Sequence, residues 1–172
     1  MLQFLWEGID LHKATAAWIK TRSSGIPLAE FVRSVRTHTA AILKDERQAG
    51  KPINFGLIYG GGANIVVDVA KKDYNITMTL EQAEEARQGF FELYPGLLSW
   101  HTAAWESVRK GRIETPFGLV RSLAGMTENQ GALQRKAINT PIQGTASYIA
   151  LLGLVCCCNE ITRRGLDPVV HI

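Results

Sequence analysis

Cysteine is scarce in this sequence, and what there is falls in one run, Cys156-Cys157-Cys158, with no CxxC pair. Adjacent helical residues point about 100° apart, so three in a row cannot close on one metal ion. A disulfide framework and a zinc module are both excluded. The expectation is that the three are small buried hydrophobes in a reducing, cytoplasmic compartment. A phosphate-binding GxxxxGK(S/T) loop is also missing, because Gly50-Lys51 is followed by proline, and that removes the P-loop enzymes. The apolar run from Tyr148 to Cys158 is about half of what crosses a bilayer, so no membrane partner is expected. Met1 to Trp6 lacks the basic start and apolar stretch of a signal peptide. Phe4, Leu5 and Trp6, with no cap before them, read instead as the end of an upstream element. There is no internal repeat and no low-complexity linker.

Charge is limited too. Only 20% of the 172 residues are charged and the net charge is +3, compatible with a nucleic-acid partner without demanding one. With 46% apolar residues the chain has the composition of a globular domain with a real core, which excludes disorder. Where the charge lies says more than its sum. Arg33, Arg36, Lys44, Arg47 and Lys51 outnumber Glu30, Asp45 and Glu46 in the segment leading to the most informative stretch, Asp45 to Gly62.

In that stretch Arg47, Lys51, Phe55 and Tyr59 recur every four residues, one helical turn plus a drift of roughly 40°. They form a slanted stripe about 18 Å long, two cations at its N-terminal end and two rings at its C-terminal end. Phosphate oxygens are held by Arg and Lys, helped by the positive pole of a helix N-terminus. A nucleobase stacks on an aromatic face for roughly 1–3 kcal/mol. The stripe is therefore nucleotide-sized and ordered like a nucleotide. The competing interpretation is an amphipathic helix with two core aromatics and a solvated basic end. Gly60, Gly61 and Gly62 are expected to end the helix where positive φ is needed. Pro52 removes a backbone donor inside it, so a kink or a restart at Pro52 is expected.

The remaining elements follow from caps and breakers. Asp10 caps a helix through Arg22, ended by Ser23-Ser24-Gly25. Ile26-Pro27 opens a helix from Leu28 to about Lys44, with Phe31, Val35 and Ile42 facing inward. Asn64 begins another, to about Tyr74. Thr79 and Gln82 form a capping box for Leu80 to Leu93. Tyr94-Pro95-Gly96 precedes a helix through Lys110, with Leu98, Trp105 and Val108 assigned to the core. Gly111 to Leu123 reads as a β-hairpin around Pro116-Phe117-Gly118. Thr127 is expected to cap a helix through about Thr140, Pro141 to start the next, and Gly165 to stop that one after Arg164. Asp167 to Ile172 then begins a strand.

Three motifs resemble those of family A, polymerase-I-like DNA polymerases. Arg47, Lys51, Asn54-Phe55-Gly56 and Tyr59-Gly60 resemble motif B, the fingers helix. Asp10-Leu11-His12 with Thr15-Ala16 resembles the DxHxxTA segment before it, and Asn139-Thr140-Pro141-Ile142-Gln143-Gly144-Thr145-Ala146 the NxPxQGTA segment after it. The resemblance implies a mainly α piece, with one small β-hairpin and a truncated C-terminal strand, of the α+β right-hand polymerase fold. Residues 1–140 become a fingers-like region and 141–172 the return to the palm. It implies that His12, Arg47 and Lys51 hold the triphosphate, with Arg47 and Lys51 as the catalytic cations, and that Phe55 packs on base and sugar. Phe at this position implies rejection of sugars lacking the 3′-OH. Tyr59 and Gly60 meet the template, and Arg135, Asn139 and Gln143 the primer–template minor groove, where an acceptor at every base pair lets donors test shape without reading sequence. Thr115-Pro116-Phe117-Gly118 with Arg121 resembles the hairpin near the template.

The implied partners are dNTP and a DNA primer–template, and the implied cofactor is Mg2+, two ions held by aspartates of motifs A and C outside this chain. Asp10 and Asp167 are not assigned to metal. His171 is not the histidine of motif C, since no Asp follows it. The parent protein is then expected to be a DNA-directed DNA polymerase of a bacterial or phage-infected cell, and the isolated chain to be inactive. The alternatives are a single-subunit RNA polymerase fragment and a non-catalytic helical nucleic-acid-binding module.

Overall fold

The computed structural model describes residues 1–166, so the strand expected at Asp167 to Ile172, and with it Asp167 and His171, lies outside the described residues. The chain divides into two compact units, Met1–Ala103 and Ala104–Ile172. This division by packing differs from the division by function expected at residue 140.

The first unit is all helical among the described residues. A short α1 (Leu2–Trp6) precedes α2 (Leu11–Arg22), whose cap is the expected one: Asp10 accepts from the backbone N–H of His12 and Lys13. The helix expected from Leu28 to Lys44 is instead two short ones, α3 (Leu28–Arg33) and α4 (Val35–Ala40). The interruption is at Ser34, whose backbone leaves the helical region at φ −108° while both its N–H and its hydroxyl donate to the Glu30 carbonyl. Phe31, Val35 and Ile42 are nonetheless buried as the spacing requires.

The motif helix α5 (Lys44–Ile58) runs unbroken through Pro52. Packing on both sides of the proline holds the axis. Before it, Gly50 lies so close to the His12 carbonyl of α2 that a Cβ would overlap that oxygen; after it, Gly56 lies against Val66 of α6 (Ala63–Tyr74). Helix α5 ends in a Schellman turn, with Gly61 N–H donating to the Gly56 carbonyl and Gly60 N–H to that of Leu57. Of the three glycines only Gly60, at φ 79°, needs the left-handed region. Gly61 is needed for its close approach to the Gly56 carbonyl, and nothing crowds Gly62.

Helix α7 (Leu80–Leu93) has the full capping box between Thr79 and Gln82, and α8 (Pro95–Arg109) starts directly after Tyr94. The unit's core is built by Trp18, Phe31, Ile53, Leu57, Val66 and Phe90. His101 of α8 is buried, its Nε2 2.9 Å from the Ile58 carbonyl at the end of α5. Leu98, expected in the core, is 53% exposed, and Trp105 and Val108 are half-buried.

In the second unit the hairpin is β1 (Arg112–Glu114) against antiparallel β2 (Val120–Ser122), with Ile113 paired to Arg121. The two helices expected on either side of Pro141 are one, α9 (Gln130–Arg163), capped by Asn129 rather than Thr127. The hairpin holds α9 on both sides of the proline: Arg121 reaches Thr140, Thr115 lies on Gly144, and Phe117 stacks on Tyr148 at 4.8 Å. Beyond Tyr148 the helix is bare. Leu151, Leu152 and Val155 are exposed, as are Cys156 and Cys157, which corrects their expected burial. The expected shortness of the apolar run is corrected as well, since α9 is by length and composition long and apolar enough to cross a membrane.

Candidate nucleotide site

The site is built where α5 crosses α2. Gly50 allows the crossing to be backbone-close, and the closeness brings the start of α2, with Asp10 and His12, beside the first two turns of α5. Gly50, Ile53, Asn54 and Leu57 form the buried side of α5. Arg47, Lys51, Phe55 and Tyr59 lie off that side, the first two and the last half-buried and Phe55 45% exposed. The four-residue ladder is thus a surface stripe, and neither ring is sealed in the core.

Each group has a defined neighbour. Arg47 Nε donates to Asp10 Oδ2 at 2.7 Å. Burial pushes the Asp10 carboxyl up, but Arg47 and the backbone N–H groups of Lys13 and His12 outweigh it, and its pKa falls below the ordinary value. The His12 ring lies 5.5 Å from that of Phe55, and the Lys51 ammonium 5.9 Å from the ring of Tyr74. Burial lowers the pKa of His12; Asp10 opposes this, and Arg47 and Lys51 reinforce it. His12 therefore holds a second proton less readily than a free imidazole, in the field of both cations. Tyr59 is the C-cap of α5, immediately before the left-handed Gly60.

The structure brings His12, Arg47, Lys51 and Phe55 together, with Tyr59 one turn further along. Arg135, Asn139 and Gln143 belong to the second unit, on one uninterrupted face ladder of α9. Arg135 and Gln143 are exposed, and Asn139 Oδ1 is buried with no protein partner. Gly144 has a packing reason, because a side chain there would strike Thr115.

Two residues inside the site were not picked out by spacing. Asn54 is 2% exposed and bonded to both Thr15 and His12, and Thr15 is fully buried. The available signal was a lone amide and a lone hydroxyl at positions that the helical pattern assigns to the core. For a metal the described residues offer no site. No group of three or more His, Cys, Asp or Glu is suitably placed among them, and both Asp10 oxygens are already bonded, to backbone N–H groups and to Arg47.

Known proteins are similar to this chain in sequence and in fold. DNA polymerase I of Aquifex aeolicus is 29% identical over 168 residues, covering 97% of this chain and 26% of that protein. DNA polymerase I of Pseudomonas aeruginosa is 33% identical over 168 residues, covering 94% of this chain and 16% of the relative. The DNA polymerase of Bacillus phage SP01 is 27% identical over 170 residues, covering 96% and 17%. The chain therefore spans about a quarter or less of the length of these relatives. In fold it is similar to the POL domain of Pol1 from M. smegmatis, solved in complex with DNA primer-template and dNTP, with a TM-score of 0.66 at 22% identity over 94% of this chain and 26% of that one. The sequence model of DNA polymerase family A matches from residue 1 to residue 171, so both units fall within it and the chain belongs to that family.

Proposed function

We propose that this chain is the part of a template-directed DNA polymerase that grips the incoming deoxynucleoside triphosphate and the primer–template duplex. The parent protein joins the nucleotide to a primer 3′-hydroxyl. The 3′-oxygen bonds to the α-phosphorus, the bond from that phosphorus to the bridging oxygen of the β-phosphate breaks, and pyrophosphate leaves.

One observation carries the proposal: His12, Arg47, Lys51 and Phe55 lie together off the packed side of α5, with cations in its first half and an exposed ring beyond them. Arg47 and Lys51 neutralise triphosphate oxygens as the catalytic cations, and His12 donates a hydrogen bond to the same group. Phe55 packs on base and sugar, and having no hydroxyl it leaves sugars without a 3′-OH disfavoured. Tyr59 and Gly60 meet the template at a turn that also serves as hinge. Arg135, Asn139 and Gln143 lie along the minor groove of the primer–template. The family match and the polymerase names of the relatives support this.

The reaction is metal-dependent, with two Mg2+ ions. Because the described residues do not fit a metal, both ions belong to parts of the parent protein outside them, and no step here runs through them. The bacterial and phage relatives support a cytoplasmic location.

The test is an NMR titration of the 172-residue chain with dNTP, beside a primer-extension assay. Shifts concentrated at His12, Arg47, Lys51 and Phe55, with no extension by the isolated chain, are expected. Shifts elsewhere or nowhere overturn the site, and extension by the chain alone overturns its dependence on the parent. In the complete enzyme, Phe55→Tyr raises dideoxynucleotide incorporation; unchanged competition with deoxynucleotides contradicts the role given to Phe55.

A further inference from the structure

Behind the surface stripe runs a buried line of hydrogen bonds that the polymerase reaction does not itself require. The Thr15 hydroxyl lies 2.7 Å from Asn54 Oδ1 and 3.3 Å from the Tyr94 hydroxyl, and Asn54 Nδ2 lies 3.0 Å from His12 Nδ1. The donors can be assigned in order. At 2.7 Å the Thr15–Asn54 contact has the length of an O–H···O bond and is short for an amide N–H, so the amide oxygen faces the hydroxyl. Thr15 has one proton and spends it on Asn54, so the Tyr94 hydroxyl donates to Thr15. Burial pushes the Tyr94 pKa up to about 12, which keeps that proton in place. With its oxygen turned to Thr15, Asn54 presents its amino group to His12 Nδ1, which must accept. A neutral imidazole that accepts at Nδ1 carries its hydrogen on Nε2.

We infer that Thr15 and Asn54 are positioning residues: together they fix His12 as the Nε2–H tautomer, so that the ring offers a donor rather than a lone pair to a nucleotide phosphate. The inference rests on the nucleotide site proposed above. The opposite tautomer would turn a lone pair toward phosphate oxygens and repel them. A histidine between cations is thereby made a one-way donor without carrying charge. Asp10, Arg47 and Lys51 are the charged groups that act on this ring, and none of them bonds to Nδ1.

The test reads the tautomer directly, from imidazole 15N shifts of the 172-residue chain labelled at histidine, without nucleotide and then with dNTP. The wild-type chain is expected to show His12 protonated at Nε2 and unprotonated at Nδ1; a proton on Nδ1 overturns the inference. Asn54→Asp keeps the shape and the acceptor for Thr15 but can no longer donate. The proton is expected to move to Nδ1 and the His12 titration to shift to higher pH. Thr15→Val frees the amide to turn, mixing the tautomers and weakening dNTP binding by the fraction of rings left without the Nε2 proton, about twofold for an even mixture. Thr15→Ser restores both. A tautomer unmoved by Asn54→Asp, or serine and valine behaving alike at position 15, overturns the inference, and Asn54→Asp stays readable if Thr15→Val does not fold. Unchanged dNTP affinity in His12→Ala sinks the underlying nucleotide site instead, whatever the tautomer of the free chain.

Discussion

Helices α5 and α9 each carry a proline in mid-run and a ladder of candidate site residues spaced four apart, yet they differ in what surrounds them. Around Pro52, α5 is held by α2 on one side and α6 on the other, and its buried face continues through Leu57. Around Pro141, α9 is held by the hairpin, but its packing stops near Tyr148 and its last four turns lie bare. Proline has a helix-compatible φ, and its cost of about 3 kcal/mol comes from one lost donor and a ring clash. Neighbours gripping both flanking turns can override that cost. Burial is a separate property: α5 keeps a buried face from Gly50 to Leu57, near its end, whereas the buried residues of α9 stop at Thr140.

The same substitution in the two helices should therefore give different results. Leu57 is 0% exposed and Leu152 is 45% exposed. Leu57→Ala is expected to destabilise the chain by about 2–5 kcal/mol, through lost transfer energy and the cavity left behind. Leu152→Ala is expected to stay within roughly 0.5 kcal/mol. Urea denaturation of both variants measures the difference, and equal losses would mean that the bare end of α9 is buried in solution.

Glycine sharpens the contrast by reversing its sign. Gly50→Ala forces a methyl group onto the His12 carbonyl, backbone that cannot turn aside, and overpacking of this kind costs about 1–3 kcal/mol. Gly153 of α9 has nothing near it, so Gly153→Ala should gain up to about 1 kcal/mol in helix propensity. Since Gly50 also sets the spacing of His12 from the stripe, its variant should disturb the His12–Phe55 contact, visible as a changed His12 ring environment by NMR. A stable Gly50→Ala chain with that environment unchanged would contradict the crossing described here.

How far the sequence discloses these features depends on how local their causes are. The Asp10 cap, the Thr79–Gln82 box, the hairpin and the outward stripe of Arg47, Lys51, Phe55 and Tyr59 all follow from bonds or periods within a turn or two. Pro141 misleads because what keeps the helix running is the hairpin, whose contact with α9 no local pattern announces. Ser34 misleads in the other direction, since the helix is interrupted there by backbone angles that the apolar spacing around it does not announce. The cysteines were assigned to a core that α9 does not have at that end. Within the site, the stripe is legible from its four-residue period and His12 only through the resemblance, whereas the bonds of Asn54 to Thr15 and His12 join positions 39 and 42 residues apart in the chain.

The smallest contrast is electrostatic. Asp10 and Glu160 are both paired to arginine, and in both the carboxyl pKa lies below its ordinary value. Asp10 joins two helices through Arg47, whereas Glu160, the more exposed of the two, pairs with Arg163 and Arg164 on its own turn of chain. A carboxylate whose folded pKa lies below its unfolded value binds fewer protons folded than unfolded between the two. Its stabilisation is then complete above the unfolded pKa and is lost as pH falls through the folded one. For Asp10 that window opens at 3.8 and extends downward. Asp10→Asn keeps an oxygen for the α2 cap and loses the charge, so it should flatten the acid limb of stability against pH and cost on the order of 1 kcal/mol or less at pH 7. Glu160→Gln should move midpoint and acid limb in the same direction but by less, because solvent and salt screen that more exposed pair. If Asp10→Asn proves no more costly than Glu160→Gln, the Asp10–Arg47 bond does not hold the start of α2 against α5, and the crossing rests on the close approach at Gly50 and the bonds of Asn54 to Thr15 and His12.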